Sequence, residues 1–231
     1  MTAPTKGKRG RRPRSSKDAS GHELLLDTAE ELFATHGFHG VTAREVARCA
    51  GVDAALVVYY FGNKHKLFEA VFMRRAQIIN RERLVALDAY AAAAGPELSV
   101  EGCIDAFIRP VLHWSMNGGP GWKRFFAITA QVNNTALWGG ETMGRYFDPV
   151  VERLVDLLRI ALPAASDEQL YWGYHMMTGA LTLSLSETGR IDRLSHGRCM
   201  SGDLPTLFER FVPYAAAGFR GLVEGWRPNP L

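Results

Sequence analysis

Residues 42–64 read TAREVARCAGVDAALVVYYFGNK, and the interpretation of the whole chain starts from them. Thr42 followed by Glu45 is a capping box, in which a hydroxyl and a carboxylate satisfy free N–H groups at the start of a helix. Gly51 permits a tight turn, and Asp53 can cap a second short helix. Two short helices joined by a tight turn that contains Gly predict a helix-turn-helix.

Helical periodicity continues on both sides of this stretch. Ser20 and Glu23 form a second capping box, which predicts a helix over residues 21–36. Asn63 is expected to cap a long helix over residues 64–94. No segment alternates with the period of a strand, so the sequence predicts an all-α protein of about nine helices. The remaining predicted helices cover residues 100–117, 122–134, 141–162, 167–188 and 204–224.

The net charge of +3 is unevenly distributed along the 231 residues. Residues 1–20 carry seven basic side chains and one acidic side chain, whereas the rest of the chain carries 20 basic and 23 acidic ones. Residues 1–20 cannot bury enough apolar surface to fold, so we predict that they form a disordered basic arm. The arm is a solubilising tail in one interpretation. Beside a helix-turn-helix, it is expected to follow DNA phosphates through Arg11, Arg12 and Arg14.

Composition predicts the broad class of protein and excludes several others. No apolar run is long enough to span a membrane and the basic N-terminus precedes no apolar segment, so we expect a cytoplasmic protein without membrane contact. Three distant cysteines predict neither a disulfide framework nor a metal site. Because no phosphate loop, metalloprotease motif or nucleophile elbow occurs, we expect no enzyme, catalytic residue or cofactor. Hydrophobic residues make up 47% of the chain, enough for a sizeable core.

The motif Thr-x-x-x-Val-Ala-x-x-Ala-Gly-Val at residues 42–52, followed by Phe-Gly-x-Lys at 61–64, resembles the DNA-binding motif of TetR-family transcriptional regulators. The resemblance is specific over about residues 21–72. It implies three parts: the basic arm at 1–20, a three-helix DNA-binding domain at 21–65, and a helical effector-binding and dimerisation domain at 66–226. The DNA-binding residues that we predict, including the arm, are Thr42, Arg44, Ala54, Ala55, Leu56, Val58, Tyr59, Tyr60, Lys64, Arg11, Arg12 and Arg14.

The second helix of the motif departs from the family pattern, because it offers methyl groups and two phenols. Apolar side chains discriminate mainly by contact with the thymine methyl group. We therefore expect specificity from Arg44, Tyr59 and DNA shape, and phosphate affinity from Tyr60 and Lys64. The alternative is that Tyr59 and Tyr60 are core aromatics of a helical domain.

The resemblance also implies an effector site between the middle helices. A large apolar cavity with few polar anchors would suit a hydrophobic small molecule of the lipid, acyl or aromatic class. For each residue, ordinary core packing is the alternative. The predicted pocket residues are Phe107, Val111, Trp114, Phe126, Trp138, Tyr146, Phe147, Tyr171, Met176, His113 and Gln131.

A single helix-turn-helix buries too little surface for useful specificity, so regulators of this kind pair on two half-sites. We predict that the last two helices form the homodimer face, through exposed apolar and small residues. The alternative is that these helices pack entirely inside one chain. The predicted interface residues are Gly173, Met177, Gly179, Leu183, Phe208, Phe211, Ala215 and Phe219.

The sequence thus predicts a repressor that binds a palindromic operator in double-stranded DNA as a dimer and leaves it when an apolar effector binds. A non-specific or architectural DNA-binding protein without a ligand is the alternative.

Overall fold

The structure of the chain is a computed structural model that describes residues 16–135 and 141–225. These residues form ten α-helices and no strand, which confirms the predicted all-α class. The helices are α1 Ser16–His36, α2 Ala43–Cys49, α3 Ala54–Phe61, α4 Lys64–Ala94, α5 Val100–Asn117, α6 Pro120–Asn133, α7 Glu141–Ala161, α8 Asp167–Leu185, α9 Arg190–Leu194 and α10 Leu204–Glu224.

Several boundaries differ from the prediction: α6 begins at Pro120 instead of residue 122, and α8 ends at Leu185 instead of residue 188. Helix α1 begins at Ser16, so Ser20 lies inside the helix and the prediction that it caps α1 is wrong. The short helix α9 falls in a segment that we expected to be a polar loop, because its five residues are too few to show a periodic apolar pattern. Arg11, Arg12, Arg14 and Trp138 lie outside the described residues.

Helices α1 to α3 and the first turns of α4 form a small head with its own apolar core. Leu25 and Phe33 of α1, Val46 of α2, Val57 of α3 and Leu67 of α4 are all fully buried there. Because each helix contributes its apolar stripe to the same centre, the opposite sides of α2 and α3 remain available to solvent.

Helices α5 to α10 and the rest of α4 form the larger body. Helix α4 packs on α1 in the head and on α5 and α7 in the body, so it belongs to both parts. Helix α6 lies against both α1 and α8, while α8 packs on α10. No helix in the described ranges is long and apolar enough to cross a lipid bilayer.

Buried polar contacts join the head to the body. Glu30 of α1 is only 2% exposed, and its carboxylate accepts hydrogen bonds from Arg75 of α4 at 2.8 and 3.2 Å. Arg74 pairs with the same carboxylate at 3.2 Å and with Asp27 at 2.8 Å. A buried carboxylate requires such partners, because an unpaired charge in the interior is strongly destabilising.

Candidate nucleic-acid interface

The helix-turn-helix is fixed by three side-chain caps that the sequence predicted. The Thr42 hydroxyl accepts from the Glu45 amide at 3.1 Å, and the Glu45 carboxylate accepts from the Thr42 amide at 3.5 Å. Asp53 accepts from the Ala55 amide at 2.7 Å and so opens α3. Gly51 adopts a φ of +68° in the turn, a conformation that glycine reaches without steric cost. The cap of α4 at Asn63 is likewise present.

One side of α3 is open to solvent although it carries large side chains. Tyr59 is 75% exposed and Val58 is 62% exposed, whereas their neighbour Val57 is fully buried. Ala54 and Ala55 are also exposed at the start of the helix. This exposure excludes the alternative that Tyr59 is a core aromatic. Small residues at the N-terminus of α3 and larger ones further along leave its outer side free to enter a groove.

The other predicted contacts on α2 and α3 differ in their exposure. Arg44, in the first turn of α2, is exposed as expected. Leu56 is half-buried and packs partly against the core, so its predicted DNA contact stays a prediction. Tyr60 is half-buried, with its ring edge-to-face against His22 at 5.4 Å. Its packing role therefore stands beside the predicted phosphate contact.

Lys64 has a structural role that the sequence did not reveal. Its ammonium donates to the carbonyl oxygens of Phe38 at 3.0 Å and Val41 at 3.1 Å, and it lies 4.1 Å from the centre of the Phe38 ring. These contacts tie the loop between α1 and α2 to the first turn of α4. Two of the three N–H groups are occupied, which leaves one for the predicted phosphate contact.

The body contains a small cavity of about 70 Å³ between α4, α5, α6, α7 and α8. It adjoins a more open groove of about 340 Å³, and the two share Phe126, Ala130 and Leu185 in their walls. Four predicted pocket residues line the cavity, namely Phe107, Val111, Phe126 and Phe147. Residues that line it but were not predicted include Ile79, Arg83, Phe125, Tyr174, Thr178 and Leu181.

The other described pocket candidates lie elsewhere, so their assignment to the cavity is wrong. Trp114 stacks on Trp122 at 4.3 Å and donates to Glu82 at 2.6 Å. Gln131 turns toward the head. His113 is exposed beside Asn117, Tyr146 borders a surface groove on α4, and Tyr171 and Met176 are exposed on α8. Aromatic composition indicated that a body core exists but could not distinguish its lining from its periphery.

The predicted dimer residues are mostly inside the chain. The structure buries six of them, so the expectation that these form an exposed face is wrong: they are Gly173, Met177, Phe208, Phe211, Ala215 and Phe219. Only Gly179 and Leu183 are exposed. Helices α8 and α10 pack on each other through the buried set, and a different stripe of each faces outward.

The outward stripe of α8 contains Trp172, Met176, Gly179 and Leu183, all exposed at helical spacing. On α10 the corresponding exposed positions are Tyr214, Ala217, Gly218 and Gly221. We call these eight residues the α8–α10 face.

An all-α protein with a capped, exposed helix-turn-helix at its N-terminus and a helical body defines a class of helix-turn-helix proteins. Comparison with known proteins agrees with this class. The family model "Bacterial regulatory proteins, tetR family" matches residues 25–71, and the model "Tetracyclin repressor-like, C-terminal domain" matches residues 105–218. The chain therefore belongs to the TetR family.

Individual relatives match mainly through the head. The chain is 40% identical over 72 residues to the HTH-type transcriptional regulatory protein RaaS of Mycobacterium tuberculosis, covering 31% of this chain and 34% of RaaS. It is 32% identical over 97 residues to the HTH-type transcriptional regulator BetI of Rhizobium meliloti, covering 42% of this chain and 46% of BetI. The matched regions thus span less than half the length of these relatives.

Solved structures match over most of the fold. A putative tetR family transcription regulator from Shewanella sp. PV-4 has a TM-score of 0.59 at 18% identity, covering 86% of this chain and 95% of that one. A putative TetR-family regulator from Rhodococcus sp. has a TM-score of 0.55 at 16% identity, covering 85% and 99%. At such identities the likeness concerns the fold alone.

Proposed function

We propose that this protein is a transcriptional repressor that binds a palindromic operator as a homodimer and releases it when a small molecule occupies the body. The observation that carries the DNA-binding role is the exposed side of α3. Large, partly apolar side chains such as Tyr59 and Val58 are stabilised by burial, yet no other residue in the described part of the chain covers them. A major groove offers thymine methyl groups and base edges to such a surface.

The α8–α10 face supports the homodimer. Among the described residues, and apart from the local backbone of the helix itself, no atom lies within 4 Å of where a Cβ would stand on its interior glycines Gly179, Gly218 and Gly221. Glycine in the interior of a helix costs about 1 kcal/mol relative to alanine, and no packing contact in the described part of the chain requires it at these positions. A second copy packing closely on this face would explain the small residues, and Trp172, Met176, Leu183 and Tyr214 would be buried between the copies.

Helix α6 offers a path from the cavity to the head. Phe126 and Ala130 line the cavity on one side of this helix. On another side, Arg124 pairs with Glu31 of α1 at 3.2 Å, and Gln131 donates to the backbone at the end of α1. A ligand that displaces α6 would therefore move α1 and, with it, the helix-turn-helix. The ligand then favours a spacing of the two heads that the operator does not fit.

A selection from random duplex DNA tests the proposed function. The full chain is incubated with the library, bound duplexes are recovered and sequenced, and affinity is measured by fluorescence anisotropy at two salt concentrations. We expect one enriched motif with two-fold symmetry, and half-sites separated by about one helical turn or a multiple of it.

The architectural alternative gives a different result in the same experiment. It predicts no enriched motif and a similar affinity for all duplexes, which salt alone weakens. That outcome would overturn the operator-specific proposal. An enriched motif without two-fold symmetry, together with a monomeric mass in solution, would overturn the homodimer.

A further inference from the structure

Arg83 occupies an unusual position on α4. It lies four residues after Ile79 and four before Leu87, both of which are buried, and so falls on the inward stripe of the helix. Its side chain lines the body cavity together with Phe107, Tyr174 and other residues. Among the described residues that line this cavity, Arg83 is the only one with a charged side chain.

The contacts of Arg83 leave most of its guanidinium unused. Nε donates to the carbonyl oxygen of Phe107 at 3.1 Å, and Cζ lies 4.1 Å from the centre of the Phe107 ring. No ion pair or further hydrogen bond links Nη1 or Nη2 to a side chain within residues 16–135 and 141–225. Burial lowers the pKa of Arg83 to about 10, so the group still carries its charge at neutral pH.

A cation that is partly withdrawn from water without an acidic partner is costly, and the buried carboxylate of Glu30 shows the usual solution. Glu30 is held by two arginines, Arg74 and Arg75. The nearest acidic residue in sequence, Glu82, instead accepts a hydrogen bond from Trp114 at 2.6 Å. Arg83 is half-buried at the cavity wall, and among the described residues no acidic side chain pairs with its guanidinium. An anion of matching shape would therefore be stabilised there.

We propose that the cavity binds a small apolar carboxylate and that Arg83 is the residue that anchors its carboxylate group. This inference rests on the proposed function and specifies the chemical class of the effector. The planar fork of a guanidinium matches the two oxygens of a carboxylate, and one positive charge balances one negative charge. The apolar walls of the cavity then select a hydrocarbon or aromatic remainder.

The shape of the free space sets where the remainder of the ligand lies. The cavity beside Arg83 measures about 70 Å³, which leaves little room beyond a carboxylate group. The adjoining groove of about 340 Å³ passes Phe126 and Leu185, so the apolar chain extends in that direction. Ser115 lines the groove, and its hydroxyl is buried without a hydrogen-bond partner in the structure. This hydroxyl provides a second polar contact for the ligand.

The test compares acids with neutral molecules of the same shape in the absence of DNA. Straight-chain alkanoates of six to twelve carbons and 4-phenylbutyrate are each paired with the corresponding alcohol, and binding to the full chain is measured by isothermal titration calorimetry. We expect at least one acid to bind at least about tenfold more tightly than its alcohol. If no acid binds better than its alcohol, the proposal is wrong.

Variants at Arg83 identify the anchor. Arg83→Met keeps the approximate length of the side chain and removes its charge. We expect this variant to bind the acid no more tightly than the alcohol, while its affinity for the alcohol is unchanged. Arg83→Lys should keep part of the advantage, and Lys123→Met, in the outer groove, should keep all of it. An unchanged preference in Arg83→Met would overturn the assignment. If Arg83→Met does not fold, the Arg83→Lys variant tests the assignment. An ammonium cannot form the paired hydrogen bonds of a guanidinium, so a lysine at this position should bind the acid more weakly.

This experiment is independent of the proposed regulation. Acid binding without any effect on DNA affinity would support the site and contradict ligand-controlled release. Specific operator binding with no preference for acids would contradict the anchoring site and leave the DNA-binding proposal standing.

Discussion

The side chain of Gln131 in α6 reaches the end of α1, where Nε2 donates to the carbonyl oxygen of Phe33 at 3.3 Å. The same group lies 3.4 Å from the carbonyl oxygen of Ala34. Both carbonyls lie in the last turns of α1, where the backbone begins to lose its helical partners. The head is therefore attached to the helix that forms part of the cavity wall.

We expect Gln131→Ala to weaken the communication between ligand and DNA. The variant removes one of the contacts between α6 and α1, keeps the Arg124–Glu31 pair and leaves the cavity lining intact. Ligand affinity should therefore remain, and the coupling free energy should fall by about 1 kcal/mol. The measurement is the operator affinity with and without the tightest-binding alkanoate. Asn134→Ala is the matched control, because the Asn134 amide bonds only within α6, to Ala130 at 2.7 Å. Equal coupling in both variants would contradict this role.

Tyr59→Ala should weaken operator binding at least about tenfold, since it removes the most exposed large side chain of α3. Arg44→Ala should have an effect of similar size. Neither change should alter the melting temperature, because neither side chain is buried. Val85→Ala provides a control, as Val85 is 64% exposed on the distant part of α4. Full operator affinity in both head variants would rule out the assigned recognition side.

Met176→Glu should convert the dimer into monomers, because it places a charge in the middle of the α8–α10 face. Sedimentation velocity measures the change directly, and operator affinity should fall with it. Met116→Glu is the control: Met116 is 50% exposed on α5, close to the 57% of Met176. A dimer that survives Met176→Glu would disprove the proposed face.

The buried contact between α8 and α10 predicts a stability effect at Gly173. A Cβ atom on Gly173 would lie 2.3 Å from Cε1 of Phe219. Gly173→Ala should therefore lower the free energy of unfolding by about 1–3 kcal/mol in urea denaturation. The double variant Gly173→Ala/Phe219→Leu should lose less than the two single changes together, since the smaller side chain leaves room for the added methyl group. Strictly additive losses would show that the two residues do not compete for space.

The sequence predicted the head more accurately than the body, for a physical reason. Caps are local, so the side chains of Thr42, Asp53 and Asn63 specify where helices begin without reference to the rest of the chain. In the body, an apolar residue is equally compatible with the core of one chain and with a face between two chains. Phe208 was predicted on an exposed dimer face but is buried inside the chain, whereas Met176 was predicted in the pocket but is exposed. The hydrophobicity of a side chain does not reveal which neighbour covers that side chain.

Arg83 and Gln131 illustrate a second limit. Arg83 stands four positions from apolar neighbours on either side, a spacing visible in the sequence, but the edge of an apolar stripe gives the same pattern, so the spacing alone does not indicate a cavity. The orientation of Gln131 toward α1 had no such signal, because α1 and α6 are separated by more than eighty residues along the chain and only the tertiary fold brings them together.

The length of α4 turns a small rearrangement into a large one. Its 31 residues extend about 46 Å, and Arg83 lies about 28 Å along the helix from Lys64. The ammonium of Lys64 donates hydrogen bonds to the loop between α1 and α2 in the head. A tilt of about 5° around one end moves the other by about 4 Å, slightly more than the 3.4 Å step between neighbouring bases along one strand. In the proposed dimer this helix acts as a lever arm, and we expect that a rotation too slight to disturb the packing of the body moves the two heads out of register with the double helix.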